Sequence, residues 1–306
     1  EVVLVRRKKT VGDIILDIMV LLTMLLVLIA TLYPFLNSLA LSFNNADDTT
    51  RGGITIWPRI FTTRNYELIF ANSKIYKAYS ITVLRTLIGT VVGLLFTATL
   101  AFGLSRRNLK GRKFYTYFCL IPMYFSGGLI PTYFLIRSLN LLNNFWVYIL
   151  PNLVNLWNML LMRAYFKSVP DALEESARID GANYFTIFYR IILPVSMPIV
   201  ATICLYIGVF HWNSWFDAAM FISSQQLKPM QTVLISIISE AKFAEQIASA
   251  AAGASVDVGS IGRGKVVNVR SITMATMIVT IIPIVIVYPF LQRYFIKGIM
   301  IGSIKG

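Results

Sequence analysis

From Ser168 to Pro194 the chain reads Ser-Val-Pro-Asp-Ala-Leu-Glu-Glu-Ser-Ala-Arg-Ile-Asp-Gly-Ala-Asn-Tyr-Phe-Thr-Ile-Phe-Tyr-Arg-Ile-Ile-Leu-Pro. It is a charged island between long apolar segments. Ser168, with Asp171 three residues later, predicts an N-cap and capping box, and Gly181 predicts a left-handed stop. Asn183 then caps a second helix, on which Phe185, Phe188, Ile191 and Ile192 recur at helical spacing. The expected unit is a helix, a glycine turn and a helix. On the first helix Leu173, Ser176, Ala177 and Asp180 share a side, small in the middle and charged at the end, which suits a shallow socket on another protein.

The surroundings of this island set its class. Hydrophobic residues make up 57% of the chain and charged residues 14%, against roughly 25% charged in an ordinary soluble domain. Mean hydropathy is +0.68. The chain is therefore expected to be an all-α polytopic membrane protein. Its net charge of +14 comes from basic residues that flank apolar runs, not from basic patches interleaved with stacking aromatics, so lipid headgroups and not nucleic acid are the expected partner. Cys119 and Cys204 both lie inside apolar runs and match no metal-ligand spacing.

Six segments are long enough to cross a bilayer, at 14–36, 80–104, 114–136, 145–166, 191–215 and 272–294. The first follows Arg6-Arg7-Lys8-Lys9 as a signal peptide would, but has no small-residue cleavage site and reads as a retained span. Pro122, Gly127-Gly128 and Pro131 predict a break in the third. Arg85, near one end of the second, is expected to extend its side chain to the interface. Arg6 to Lys9 and the run Arg106, Arg107, Lys110, Arg112 and Lys113 place both flanking loops in the cytoplasm, whereas Ser138–Asn144 has only the bordering Arg137. By alternation 168–194 and both chain ends are cytoplasmic.

Two outer segments remain. Asn44–Lys77, with Trp57-Pro58, Tyr66, Phe70 and Tyr76, reads as a connector whose rings lie at headgroup depth. The other, 216–270, contains four glycines, Gly253, Gly259, Gly262 and Gly264, among small residues. Such a stretch is either a thin loop able to enter a cleft or a plain tether.

No catalytic constellation is present: no Walker-type phosphate loop, and no carboxylate pair of the kind a proton-coupled carrier places at mid-membrane. His211, the single histidine, reads as a packed side chain and not a metal ligand. Trp157, Tyr206, Trp212 and Trp215 could offer stacking surfaces to a solute, and the last three equally fit an aromatic belt.

Glu175-Ser176-Ala177, Gly181 and Ile191-x-Leu193-Pro194 resemble the EAA loop of ABC importer permeases, with Ser176 where that family usually has Ala. Together with the Gly-rich end in Lys305-Gly306, the whole chain is similar to the second permease of carbohydrate importers of the maltose type, in the branch for complex oligosaccharides that includes alginate importers. The resemblance implies the type I importer fold, six spans with cytoplasmic ends, and a multi-pass protein of the inner membrane. It implies coupling to ATPase subunits through Leu173, Glu174, Glu175, Ser176, Ala177, Arg178, Asp180 and Gly181. It also implies a second homologous permease, two ATPase subunits that hold ATP and Mg, a solute-binding protein met by the 216–270 loop, an oligosaccharide substrate, and a tail that reaches the ATPase interface. This chain would itself bind no cofactor and catalyse nothing. The competing readings are a permease for another solute class, a secondary transporter and a membrane-embedded enzyme.

Overall fold

A computed structural model describes residues 10–253 and 263–303. Those residues are almost entirely helical, with one isolated antiparallel bridge between Asn44 and Phe61. The main helices are α1 (Val11–Ser42), α2 (Ser73–Ser105), α3 (Arg112–Tyr124), α4 (Leu129–Ser138), α5 (Leu156–Ser168), α6 (Asp171–Ile179), α7 (Met197–Asn213), α8 (Met230–Gly253) and α9 (Arg263–Ser303). By length and composition α1, α2 and the Arg270–Pro289 part of α9 can each cross a bilayer. Three bent pairs can also cross if each counts as one span: α3 with α4 at 116°, Phe145–Asn152 with α5 at 47°, and Tyr184–Val195 with α7 at 86°. The break between α3 and α4 falls at the glycine pair, and Gly128 has φ +84°.

The chain divides into two compact units. In the first, Glu1–Ala71 with Ser239–Ile278, Thr10 opens α1 with a reciprocal capping box to Asp13. The most apolar window of α1 buries none of its surface within the chain, as expected of a helix sheathed in lipid. The connector after it is a folded loop. The Asn65 amide donates to the carbonyls of Ser42 and Asn44, and the Asn44 amide donates to Asp48. That bond, with Arg59 at 3.0 Å, holds the Asp48 carboxyl below the usual carboxylate range. Tyr66 packs at a tilt against Phe43 and bonds Ser42, so its ring is part of this loop's packing and not an interface anchor, whereas Trp57 is exposed.

The second unit is Asn72–Ile238 with Val279–Gly306. Small residues let α5 and α7 approach α2. A Cβ built on Gly89 would lie 2.4 Å from Nε2 of His211, and one on Gly93 would lie 3.5 Å from Ile207 and from the Leu153 carbonyl. His211 is thus a packed histidine, buried against α2. Farther along, Ala98, Ala101 and Phe102 of α2 meet Met159, Met162 and Phe166 of α5 and Ile203 and Ile207 of α7 in one core.

Arg85 departs from expectation. It is fully buried, and Nη2 donates to Asp217 at 2.7 Å while Nη1 donates to the Ser214 carbonyl at 3.2 Å. The guanidinium also lies over the Tyr148 ring, 4.3 Å from its centroid. It does not reach for the interface because a carboxylate from beyond α7 reaches it. Asp217 in turn accepts from Ser214 Oγ and the Ala218 amide, and Tyr148 donates to the Leu227 carbonyl. One ion pair therefore joins α2, the turn at Phe145–Tyr148 and the segment after α7.

The 216–270 stretch is also not the loop expected. It contains a short helix at Phe216–Phe221 and the 24-residue α8, whose alanine-rich end carries the helix through Gly253. Gly264 lies in α9, and Gly259 and Gly262 lie outside the described residues. Helix α9 continues through most of the Gly-rich tail to Ser303, and Ile304, Lys305 and Gly306 lie outside the described residues.

Replacing Arg85 with Met strands a buried carboxylate and should destabilise the protein by about 3–5 kcal/mol, whereas pairing it with Asp217→Leu should recover much of that loss. Thermal unfolding in detergent measures both. Equal destabilisation by the single and double variants would refute the account of this pair as coupled.

Candidate functional site: the charged turn and the central cavity

Helix α6 starts at Asp171, not at Ser168. The Ser168 hydroxyl donates to the Tyr165 carbonyl at the end of α5, and Pro170 occupies the N-cap without a side-chain bond. Proline is the reason, since it holds Val169 extended, with ψ 130°. The far end matches the reading. Gly181 has φ +79°, its amide donates to the Arg178 carbonyl, and the Ala182 amide donates to Ala177 at 2.9 Å, which is a Schellman stop. Asn183 then caps Tyr184–Ile187 through Thr186.

Of the side expected to face a socket, Leu173, Ser176 and Asp180 are exposed and Ala177 alone turns inward. Ala177 is buried with Ile187, Phe188 and Ile192 in the core shared by α2, α5 and α7. The outward face is Ala172, Glu175, Ser176 and Ile179, with Leu173 and Asp180 beside it. Ile179 is 87% exposed and Phe185, beyond the turn, 73%. The 3.6-residue period gives both faces, but which one the core takes depends on the approach of Tyr184–Ile192.

Charge fixes the helix in place. Glu174 pairs with Arg106 from the end of α2 and with Arg178 at 2.6 Å. Arg178 also donates to the Tyr184 hydroxyl at 2.8 Å and lies over that ring. Burial pulls the Arg106 guanidinium down from its ordinary value and Asp171 opposes that shift. An Arg remains charged under such conditions. Arg107–Asp171 at 3.2 Å is solvent-exposed and worth little. Arg106, Arg107, Asp171, Glu174 and Arg178 line a cleft of about 400 Å³ beside α6.

Beyond the turn the backbone changes register. Phe188–Ile192 forms a π-helical turn, and the chain bends by 86° at Ser196, between Pro194 and Pro198. Each proline removes a donor that a continuous helix would use, and the Ser196 amide closes the turn onto Ile192 and Leu193.

A second cavity, of about 600 Å³, lies where the chain breaks before α5. Pro151–Asn155 and the first turn of α5 form one wall, and Leu205–Phe210 of α7 form the other. Trp157 and Tyr206 both line it. Trp212 does not: it is buried, donates to the Thr280 carbonyl at 3.2 Å and packs edge-on against Tyr79, so it is a core residue. Trp215 lies outside this cavity against Phe216. Sequence reading passed over Asn152, Asn155 and Asn158, because an asparagine in an apolar run signals nothing until a break in the helix turns it toward a space. Among the described residues no cluster of His, Cys, Asp and Glu is arranged to hold a metal.

Residues 6–301 match the family model described as "binding-protein-dependent transport system inner membrane component". The chain is 36% identical over 273 residues to the polygalacturonan/rhamnogalacturonan transport system permease protein YtcP of Bacillus subtilis, covering 89% of this chain and 92% of that one. It is 28% identical over 279 residues to the arabinooligosaccharide permease AraQ of Halalkalibacterium halodurans, covering 90% and 91%. A solved bacterial ABC transporter involved in import of the acidic polysaccharide alginate contains a chain that superposes with a TM-score of 0.83 at 26% identity, covering 94% of this chain and 99% of that one. The protein belongs to the family of binding-protein-dependent transport system inner membrane components, the permease subunits of ABC importers.

Proposed function

We propose that this chain is one of two homologous permeases that together enclose the pore of an inner-membrane oligosaccharide importer, with six spans and both ends in the cytoplasm. Two ATPase subunits below supply the energy and hold ATP and Mg, and a solute-binding protein delivers the substrate from outside. The substrate class is acidic pectin- or alginate-type oligosaccharide, a reading supported by the named substrates of YtcP and of the alginate importer. The observation that carries the coupling role is the outward face of α6, small at Ala172 and Ser176 and apolar at Ile179, on a helix whose inner face is part of the pore-side core. A push on that face moves Ala177, and with it Phe188, Ile192 and the helices packed on them, because a close-packed core transmits displacement.

The test of the assembly is purification of the tagged chain from its native membrane, which should bring with it an ATPase and a second permease. Recovery of the chain alone would remove the reading. Ile179→Asp places a charge in the docking face and should reduce ATPase recovery by about tenfold while the permease still inserts. Gly181→Val forces a β-branched residue to positive φ and should lower transport in the same way. Normal ATPase recovery and normal uptake in both variants would remove α6 as the docking element.

The 86° bend generates a separate expectation. Replacing Pro194 and Pro198 with Ala restores two backbone donors and should straighten the path from Tyr184 into α7. Hydrolysis would then no longer rise when loaded binding protein is added. If substrate-stimulated hydrolysis and uptake both persist, the bend plays no part in the relay.

A further inference from the structure

Where α3 starts and α5 finishes, the chain gathers positive charge that its own carboxylates do not answer. Arg163 of α5 feels the charge of Arg112 and lies beside the Cys119 thiol of α3, and Lys167, one turn on, feels both arginines. Among the described residues no side chain of the three makes an ion pair or a hydrogen bond, and the Nε of Arg163 is buried without a partner. Arg85 and Arg106 differ in this respect, since each holds a carboxylate. Like charges held together repel, and burying a charge without its opposite is costly, so the cluster calls for an anion.

The surroundings say which kind. Helix α3 begins at Arg112, and Gly111 before it gives the first turn no side-chain cap, so the amides of that turn and the positive end of the dipole add to the attraction. Immediately beyond, Phe114, Tyr117, Phe118 and Ile121 share one side of α3 at i, i+3, i+4 and i+7, and all four are exposed. Arg112 and Lys167 also line the cleft of about 400 Å³ beside α6, which has room for a headgroup. The carboxylates of that cleft are committed elsewhere: Glu174 to Arg106 and Arg178, and Asp171 to Arg107, while Glu175 is on the outward face of α6.

We propose that Arg112, Arg163 and Lys167 form a discrete site for the phosphate group of an anionic membrane lipid, whose acyl chain lies along the exposed stripe of α3. Phosphate and hydrocarbon side by side match a cation cluster next to an apolar helix face, and a free phosphate has only the first of the two. Arg163 supplies the planar fork of donors and Lys167 a point charge. General attraction of basic loops to headgroups is spread over exposed cations, whereas a guanidinium with a buried Nε fixes one place. A lipid held there ties the start of α3 to the end of α5, directly before α6.

The test uses the intact complex purified from its native membrane, titrated with dioleoyl-phosphatidylglycerol or with its neutral counterpart phosphatidylcholine, and retained lipid is counted by native mass spectrometry. The wild type should prefer phosphatidylglycerol by about tenfold, the scale of one charged hydrogen bond. Arg163→Gln should remove most of that preference. Lys167→Gln, at an exposed position that packing does not need, should reduce it several-fold, so the case does not depend on assembly of the Arg163 variant. Lys110→Gln, an exposed loop cation outside the cluster, should leave it unchanged. Glycerol phosphate, which lacks the chains, should displace the lipid only at far higher concentration. An equal loss in the Lys110 variant, or a wild type that holds both lipids alike, would show diffuse attraction and overturn the site. Displacement by glycerol phosphate or inorganic phosphate at concentrations comparable with the lipid's would make this a site for free phosphate and overturn the lipid.

Discussion

The second unit depends on how closely other helices approach α2. Gly89 accepts the ring of His211 where a methyl group would already collide, and Gly93 lies against both Ile207 and the backbone of Leu153. Lipid tails are as apolar as leucine, so helix association in a bilayer gains little from hydrophobicity and relies on such contact. The apolar core at Ala98, Ala101, Met162 and Ile203, and the ion pair at Arg85, both follow from that closeness.

The bent helix pairs of this unit are interrupted, and two of the interruptions serve a position. Breaking the chain before α5 opens a cavity beside α7. Bending it at Ser196 lets the charged segment lie across the end of the bundle while Ile187, Phe188 and Ile192 stay in the core. The turn at Gly181, which lies between them, lets Ala177 and Ile192 belong to one packed cluster. The Glu174 carboxylate, held between Arg106 and Arg178, ties the same segment to the end of α2.

The sequence made the local features legible. Gly181 and Asn183 ended and began helices as their chemistry requires, and the glycine pair at 127–128 marked the break between α3 and α4. It was less informative wherever a partner distant in the chain decides. Arg85 looked like a snorkelling residue because nothing within one turn of it is acidic, and Asp217 is far off in sequence. Ser168 looked like a cap because Pro170, which moves the helix start, acts on backbone angles and not on pattern. The glycines after Ala250 suggested a loop, although the alanines before them prolong a helix through Gly253. Trp212 and Tyr206 have the same sequence signature, and only packing separates the core ring from the cavity ring.

The pairing of Arg85 with Asp217 also bears on how the chain is made. The two residues are 132 positions apart, so Arg85 emerges well before its counter-ion. At roughly 5–20 residues per second, the interval is on the order of ten seconds. Throughout it α2 carries a guanidinium without the carboxylate that it pairs with in the folded chain, and burying it unpaired is costly. A helix in that position stays at the insertion machinery or keeps its arginine toward the headgroups. It gains its carboxylate only when the segment after α7 arrives, so a contact made late in synthesis secures one of the earliest helices of this unit.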